Sequence, residues 1–243
     1  MRTGRVVVVT GAAGGMGRLI VRRFLDNGDT VVATDKVAEG LADLRKPGIR
    51  LDTVVADITR EDECAAVAAA ARGIGGRVDV LVNVAGHFPV RPFDEMTADE
   101  FRAVVDINLT GAFLIIKAMA PLLRGRGWGR IILVGSASTF EGVPDQVHYV
   151  AAKAGLFGLS RSLARVFGKE GITVNVVTPG LTLTRPVLAG IPQDLIGQQA
   201  GLRALPRDEQ AADLVGAIFF LASPDADFVS GQTINVDDGK HML

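Results

Sequence analysis

Apolar and polar positions change along this chain in blocks. Seven short runs are apolar and β-branched almost throughout: Val6–Thr10, Thr30–Thr34, Leu51–Ala56, Val78–Val82, Arg130–Val134, Thr173–Thr178 and Gln232–Val236. A strand with one wet face shows in/out alternation. An unbroken apolar strand is covered on both faces, as in a parallel sheet between helices. Stretches of helical spacing lie between the runs. Gly17–Asn27 stops at Gly28, a residue suited to ending a helix in the left-handed conformation. Arg60–Arg72 is alanine-rich, and His148–Lys169 and Asp208–Ala222 are further helices. Thr97-Ala98-Asp99-Glu100 has the form of a capping box and opens a long helix toward Arg124. This rhythm predicts an α/β fold: one doubly wound domain spanning residues 1–243, with a seven-stranded parallel sheet, helices on both faces and right-handed crossovers. The least regular stretch is Pro179–Arg207, with four prolines and no clear strand. Its part 184–207 reads as a substrate lid, because long irregular loops in compact domains commonly cover binding sites.

Composition narrows the class. The chain has 243 residues, 48% hydrophobic and 22% charged. That is enough to bury a core without disulfides or metals. Lys+Arg is 26 and Asp+Glu 27, a net charge of -1. No basic excess points to nucleic acid or a membrane surface. The one cysteine, Cys64, excludes a disulfide scaffold, and His87, His148 and His241 have no zinc-ligand spacing. No apolar run reads as long enough to span a bilayer, and the N-terminal apolar run is too short for a secretory signal. The expectation is a cytoplasmic protein with no metal, nucleic-acid or membrane partner.

Three motifs carry chemistry. Thr10-Gly11-Ala12-Ala13-Gly14-Gly15-Met16-Gly17 follows a strand and opens a helix. Glycines there let the backbone approach a pyrophosphate, and the helix N-terminus supplies donors; otherwise it is a plain glycine-rich turn. Asp35 ends the second strand, 18 residues after Gly17. It either accepts hydrogen bonds from an adenosine ribose or is a solvated loop residue. Asp57, closing the third strand, bonds an adenine edge or caps the next helix. Tyr149 and Lys153 stand at i and i+4, on one helical face. Ser136 lies just past the fifth strand, at the edge where open α/β sheets bind ligands. Asn108, inside an apolar helix, marks either a wet face or a polar group with a task.

Together these residues resemble the short-chain dehydrogenase/reductase family over nearly the whole chain. The family's TGxxxGxG turn is matched by Thr10 to Gly17, its NNAG segment by Asn83-Val84-Ala85-Gly86, and its YxxxK by Tyr149 to Lys153. Its PGxxxT loop is Pro179-Gly180-Leu181-Thr182-Leu183-Thr184. The resemblance implies a Rossmann-type fold and a catalytic set of Asn108, Ser136, Tyr149 and Lys153. It implies that Gly11, Gly14, Gly15, Met16, Gly17, Asp35, Asp57 and Ile58 hold the cofactor. Asn83, Ala85, Gly86, Tyr149, Lys153, Pro179, Gly180, Thr182 and Thr184 are expected to hold its other end. His87, Ser136, Ser138, Phe140 and Tyr149 are expected against a small-molecule substrate. Two departures stand out: Val84 replaces an Asn, and Asp238 replaces a Gly in the usual VDGG.

The implied chemistry is hydride transfer between nicotinamide and an alcohol or ketone, with Tyr149 as base or acid. A free phenol has a pKa of about 10, and a nearby Lys153 ammonium is expected to lower it. Ser136 would hold the substrate oxygen and Asn108 a water that relays the proton. Asp35 makes NAD the expected cofactor, since it would repel the 2′-phosphate of NADP; Lys36 is a partial offset. The presumptive pocket segments are apolar, although Phe88 and Phe140 read equally as core. Gly127 and Glu170 stand where carrier-protein reductases of the family have basic residues. A secondary alcohol/ketone with an apolar or aromatic substituent, as in the branch with phenylethanol dehydrogenase, is therefore preferred over a 3-oxoacyl thioester. A halohydrin-dehalogenase-like lyase conflicts with the intact glycine turn, and a dinucleotide-sensing regulator with the full catalytic set. Apolar residues on the two long helices, such as Phe113, Ile116, Met119, Leu156, Phe157 and Leu159, predict a homotetramer.

Overall fold

The computed structural model describes residues 2–242. In chain order it contains β1 (Val6–Thr10), α1 (Gly15–Asp26), β2 (Thr30–Asp35), α2 (Ala38–Ala42), β3 (Leu51–Val55), α3 (Glu61–Gly75) and β4 (Val80–Asn83). Next come α4 (Ala98–Val105), α5 (Gly111–Leu123), β5 (Gly129–Val134), α6 (Ser138–Glu141), α7 (Val147–Phe167) and β6 (Ile172–Pro179). The chain ends with β7 (Thr182–Leu183), α8 (Arg185–Gly190), α9 (Gln193–Gly201), β8 (Glu209–Gln210), α10 (Ala211–Leu221) and β9 (Thr233–Val236).

Seven strands form one sheet in the order β3-β2-β1-β4-β5-β6-β9. Every pairing in it is parallel. The apolar runs behave as expected: Val8, Leu81, Ile131 and Val174 pack with α3, α5 and α7, while Val7, Val9, Val80, Val82 and Ile132 pack with α1, α2 and α10. Each such side chain contributes roughly 1.5–3 kcal/mol on burial. The strand order reverses between β1 and β4, where open α/β sheets bind ligands.

The structure revises several expectations. The helix from Thr97 does begin with a capping box, Thr97 and Glu100 bonding each other's backbone. It is not uniform, however: Asp106–Thr110 forms a π-helical turn between α4 and α5. Within the 26-residue Ala98–Leu123, an 18-residue window has mean hydropathy 1.6, long and apolar enough by length and composition alone to cross a membrane, which the reading of apolar runs did not anticipate. In the fold, Ile115, Ile116, Met119 and Leu123 are buried in the core, which accounts for its apolarity. Pro179–Arg207 is not irregular; it folds as β7, α8 and α9, with Pro186 in the first turn of α8 and Pro192 capping α9. A proline at a helix start costs no hydrogen bond. Of the side chains read as an exposed interface stripe, Ile116, Met119 and Leu156 are buried, and Phe157 and Leu159 pack on the core. Phe113 remains exposed, joined by Phe101 and Val166.

Candidate active site

The glycine-rich turn takes its shape from close approach. Gly11 has φ +63°, and a Cβ there would lie 2.7 Å from the Ala85 amide nitrogen. A Cβ on Gly17 would sit 2.1 Å from the Gly11 carbonyl oxygen, so α1 meets the turn with no room for a side chain. Thr10 links the turn to β4: its hydroxyl donates to Asn83 Oδ1 at 2.7 Å and accepts from the Ala85 amide at 3.2 Å. The buried Asn83 Nδ2 has no partner. Gly14 is open on its outer side, where a Cβ would meet little besides the Gly11 oxygen. The bare backbone at the start of α1 is a cradle that fits a dinucleotide pyrophosphate.

Asp35 accepts from the Ala13 amide (3.0 Å) and the Val37 amide (3.1 Å), which fixes its carboxylate beside that turn. Asp57 Oδ1 accepts from the amide and hydroxyl of Thr59 at 2.9 and 2.8 Å. These bonds, opposed by partial burial, hold its pKa below the usual carboxylate range, with Lys36 assisting. Asp57 thus closes a turn at Thr59 and does not cap α3, whose N-cap is Arg60 with no side-chain cap bond. Ile58 is buried and packs on Gly111. Met16 packs beside the α1 core.

The residues expected to be catalytic converge beyond β4 and β5. In the π-helical turn, the Asn108 amide nitrogen donates to the His87 and Val104 carbonyls (2.8 and 2.9 Å), and its oxygen accepts from the His87 amide at 3.2 Å. Asn108 is fully buried, so its task is to clamp the backbone after Gly86. A Cβ on Gly86 would lie 2.8 Å from Asn108 Oδ1 and 3.2 Å from Lys153 Nζ. Ser136 and Ser138 share a hydrogen bond of 2.8 Å between their hydroxyls. Phe88 meets the Tyr149 ring edge-on, centroids 6.2 Å apart.

The expected action of Lys153 on Tyr149 is corrected here. Burial pushes the phenol up to about 12, and a hydrogen bond with Ser136 pulls against it. Lys153 lies 5.7 Å from the centre of the Tyr149 ring, over its face, and donates to the Val134 carbonyl at 2.8 Å. Burial lowers its own pKa to about 8. His87 is also lowered, first by burial and then by Lys36 and His148. Phe140, half-buried, stacks on Phe157 with ring centres 5.9 Å apart and lies 5.9 Å from the His241 ring.

The Pro179–Thr184 loop leaves β6 and reaches the glycine turn: a Cβ on Gly15 would lie 3.2 Å from Thr184 Cγ2. Two residues not foreseen hold this loop. Buried Glu209 accepts from the Gly180 amide (3.1 Å) and the Thr182 hydroxyl (2.6 Å). Buried Arg203 donates to the Leu181 carbonyl at 3.1 Å. Burial raises the Glu209 carboxyl to about 7, against its hydrogen bonds and Arg203. Charged residues inside a loop-rich segment gave no periodic signal to find them by. Among the described residues, no group of three or more His, Cys, Asp or Glu could hold a metal ion.

A parallel sheet with a glycine-rich first turn, and a Ser, Tyr and Lys beside it, define an oxidoreductase that works with a nicotinamide dinucleotide. The chain belongs to the short-chain dehydrogenase/reductase family. A family model described as enoyl-(acyl carrier protein) reductase matches residues 11–241. The chain is 37% identical over 259 residues to the 2,3-dihydroxy-2,3-dihydro-p-cumate dehydrogenase of Pseudomonas putida, covering 99% of this chain and 95% of that one. It is 39% identical to the cis-4-hydroxycyclohexanecarboxylate dehydrogenase of Sinomonas cyclohexanicum, covering 97% and 96%. It is 34% identical to a 3-oxoacyl-[acyl-carrier-protein] reductase of Salmonella typhimurium, covering 99% and 98%. The protein is thus a short-chain alcohol dehydrogenase or ketoreductase acting on a small molecule.

Proposed function

We propose that the protein interconverts a secondary alcohol and its ketone, one carrying an apolar or aromatic ring, with NAD as cofactor. The observation that carries the cofactor choice is Asp35, whose carboxylate is pinned by two amides beside the glycine turn. Gly14 to Gly17 would hold the pyrophosphate, Asp35 the adenosine ribose, and Lys153 with the Pro179–Thr184 loop the nicotinamide end. The bound nicotinamide supplies the hydride acceptor or donor. Ser136 positions the substrate oxygen. Tyr149 takes the alcohol proton during oxidation and returns it during reduction. At about 12 the free phenol is a reluctant base, so a cation close to its oxygen in the loaded site must lower it. Asn108 keeps the His87 backbone in place along the proton's exit.

Phe88, edge-on to Tyr149, and the exposed Val90, Phe93, Leu188 and Leu195 would offer apolar contacts to a substrate. The names of two relatives specify ring alcohols that also carry a carboxylate, which supports the ring part of this reading. The second reading is a 3-oxoacyl thioester reductase. Against carrier docking, Arg124 is tied to Glu170 at 3.2 Å and Arg126 to Asp79, leaving neither cation uncommitted. We also propose a homotetramer in the cytoplasm, with Phe101, Phe113 and Val166 covered by further copies. Oxidation of NADH by a panel of cyclic ketones, aryl ketones and acetoacetyl-CoA tests the function. Turnover of the thioester alone would reverse the preference. A monomer in light scattering would overturn the assembly.

A further inference from the structure

Gly180 is the one place in the Pro179–Thr184 loop where a side chain would collide with a charge. A Cβ there would lie 2.6 Å from Glu209 Oε2 and 3.1 Å from Asp237 Cβ. The glycine lets the carboxylate reach in and take the loop's Gly180 amide and Thr182 hydroxyl, one on each oxygen. Thr182 and Glu209 are also register partners in the short β7–β8 pair. Behind them, Arg203 donates to Leu181 and, through its other nitrogen, to the Arg207 carbonyl at 2.7 Å. Its Nη2 stands 3.9 Å from Glu209 Oε2. Arg203 follows α9 directly, so it belongs to the lid.

A two-residue strand pair needs no buried ions to hold together, and apolar side chains would do so at lower cost. Here the charges are aimed at the loop. We propose that Glu209 is a positioning residue for cofactor binding: backed by Arg203, it fixes the Pro179–Thr184 loop against the glycine turn in the shape that receives the nicotinamide end. This rests on the reading of that loop as part of the cofactor site. Arg203 carries the same constraint into the lid, so lid and cofactor loop move as one piece. The groups facing Glu209 are Arg203 from the lid side, Thr182 and Gly180 from the loop, and Asp238 from the C-terminal segment, with Arg207 near it.

The test is NADH binding to the full-length protein, followed by cofactor fluorescence, with steady-state kinetics beside it. Glu209→Gln removes the charge and one of the two acceptors. The dissociation constant for NADH should rise about tenfold, the loss of one charge-assisted bond, while kcat at saturating cofactor stays within roughly threefold. Wild-type affinity should weaken as pH falls through about 7, where the carboxylate takes up a proton. The variant should lack that step, which a merely structural role would not predict. Unchanged NADH affinity in Glu209→Gln, with wild type binding normally, overturns the inference alone. If wild type binds neither NADH nor NADPH, the cofactor reading falls and the inference with it. Should Glu209→Gln not fold, Thr182→Val decides: it leaves the carboxylate and should still weaken NADH several-fold, and unchanged affinity would refute the proposal.

Discussion

Lys153 Nζ donates to the backbone carbonyl of Val134 at 2.8 Å, joining the middle of α7 to the C-terminal end of β5. The cation is buried and has no carboxylate partner among its hydrogen bonds, which is why burial alone accounts for its lowered pKa of about 8. The folded protein therefore binds fewer protons than the unfolded chain between about 8 and the ordinary lysine value near 10.5. Stability rises with pH across that window, and the penalty is fully present below it. Lys153→Met should raise the Tm at pH 7 by roughly 3–8 °C, flatten this pH dependence and abolish turnover. Calorimetry at several pH values checks it; a lower Tm at pH 7 would show that the bond to Val134 outweighs the burial of charge.

Tyr149→Phe keeps the edge contact with Phe88 and removes the proton carrier. Turnover should fall by about 10²–10⁴. NADH affinity should change only a few-fold, since Tyr149 is one of many residues expected at the dinucleotide. A variant retaining most of its kcat would place the proton elsewhere.

Replacing Asp35 by Ser should lower the ratio of kcat/KM for NAD over NADP by about 10²-fold, by removing the charge that opposes the 2′-phosphate. The Ala13 and Val37 amides lose their acceptor in the same step, so affinity for NAD should fall too. Wild type preferring NADP would mean that Lys36 governs the pocket.

Asp238 is the one non-glycine residue with positive φ among the described residues, at +57°. Its buried Oδ2 has no partner, and its ion pair with half-exposed Arg207 is long at 3.6 Å. Arg207 keeps Asp213 at 2.6 Å, and Ala204 still bonds the main-chain carbonyl of residue 238. Asp238→Gly should therefore stabilise the fold by about 0.5–1 kcal/mol, or about 2–4 °C in Tm. Thermal unfolding measures it, and a loss of stability would show that the Arg207 contact matters more than the strain.

Much of this molecule can be read without coordinates because its signals are local. Val6–Thr10 is a strand because nothing polar interrupts it, and Tyr149 and Lys153 share a face because helices repeat every 3.6 residues. What escapes is long-range or subtle. Gly180 lies more than twenty residues before Arg203 and Glu209, and the parallel β7–β8 register brings its loop to Glu209. No residue type in Asp106–Thr110 marks a π-helical turn, so one helix is the natural reading of Ala98–Leu123. Residue types show a cation near Tyr149 but not the burial that raises the phenol's pKa in the cofactor-free chain.

That π-helical turn also works as a phase shifter. One extra residue in a turn sets every later side chain back by about 100° relative to an unbroken α-helix. Before it, Val104 is buried on the side where α4 packs with α7; after it, Ile115, Met119 and Leu123 point into the core beside α3. Asn108 stands at the slip itself, turned inward to His87. The segment is in effect two helices in different reading frames, spliced where the chemistry needs an inward amide. Winding Asp106 to Thr110 as regular α-helix with all five residues kept would rotate the apolar face of α5 by about 100° away from the core, whereas deleting one of them would keep that face and lose the slip.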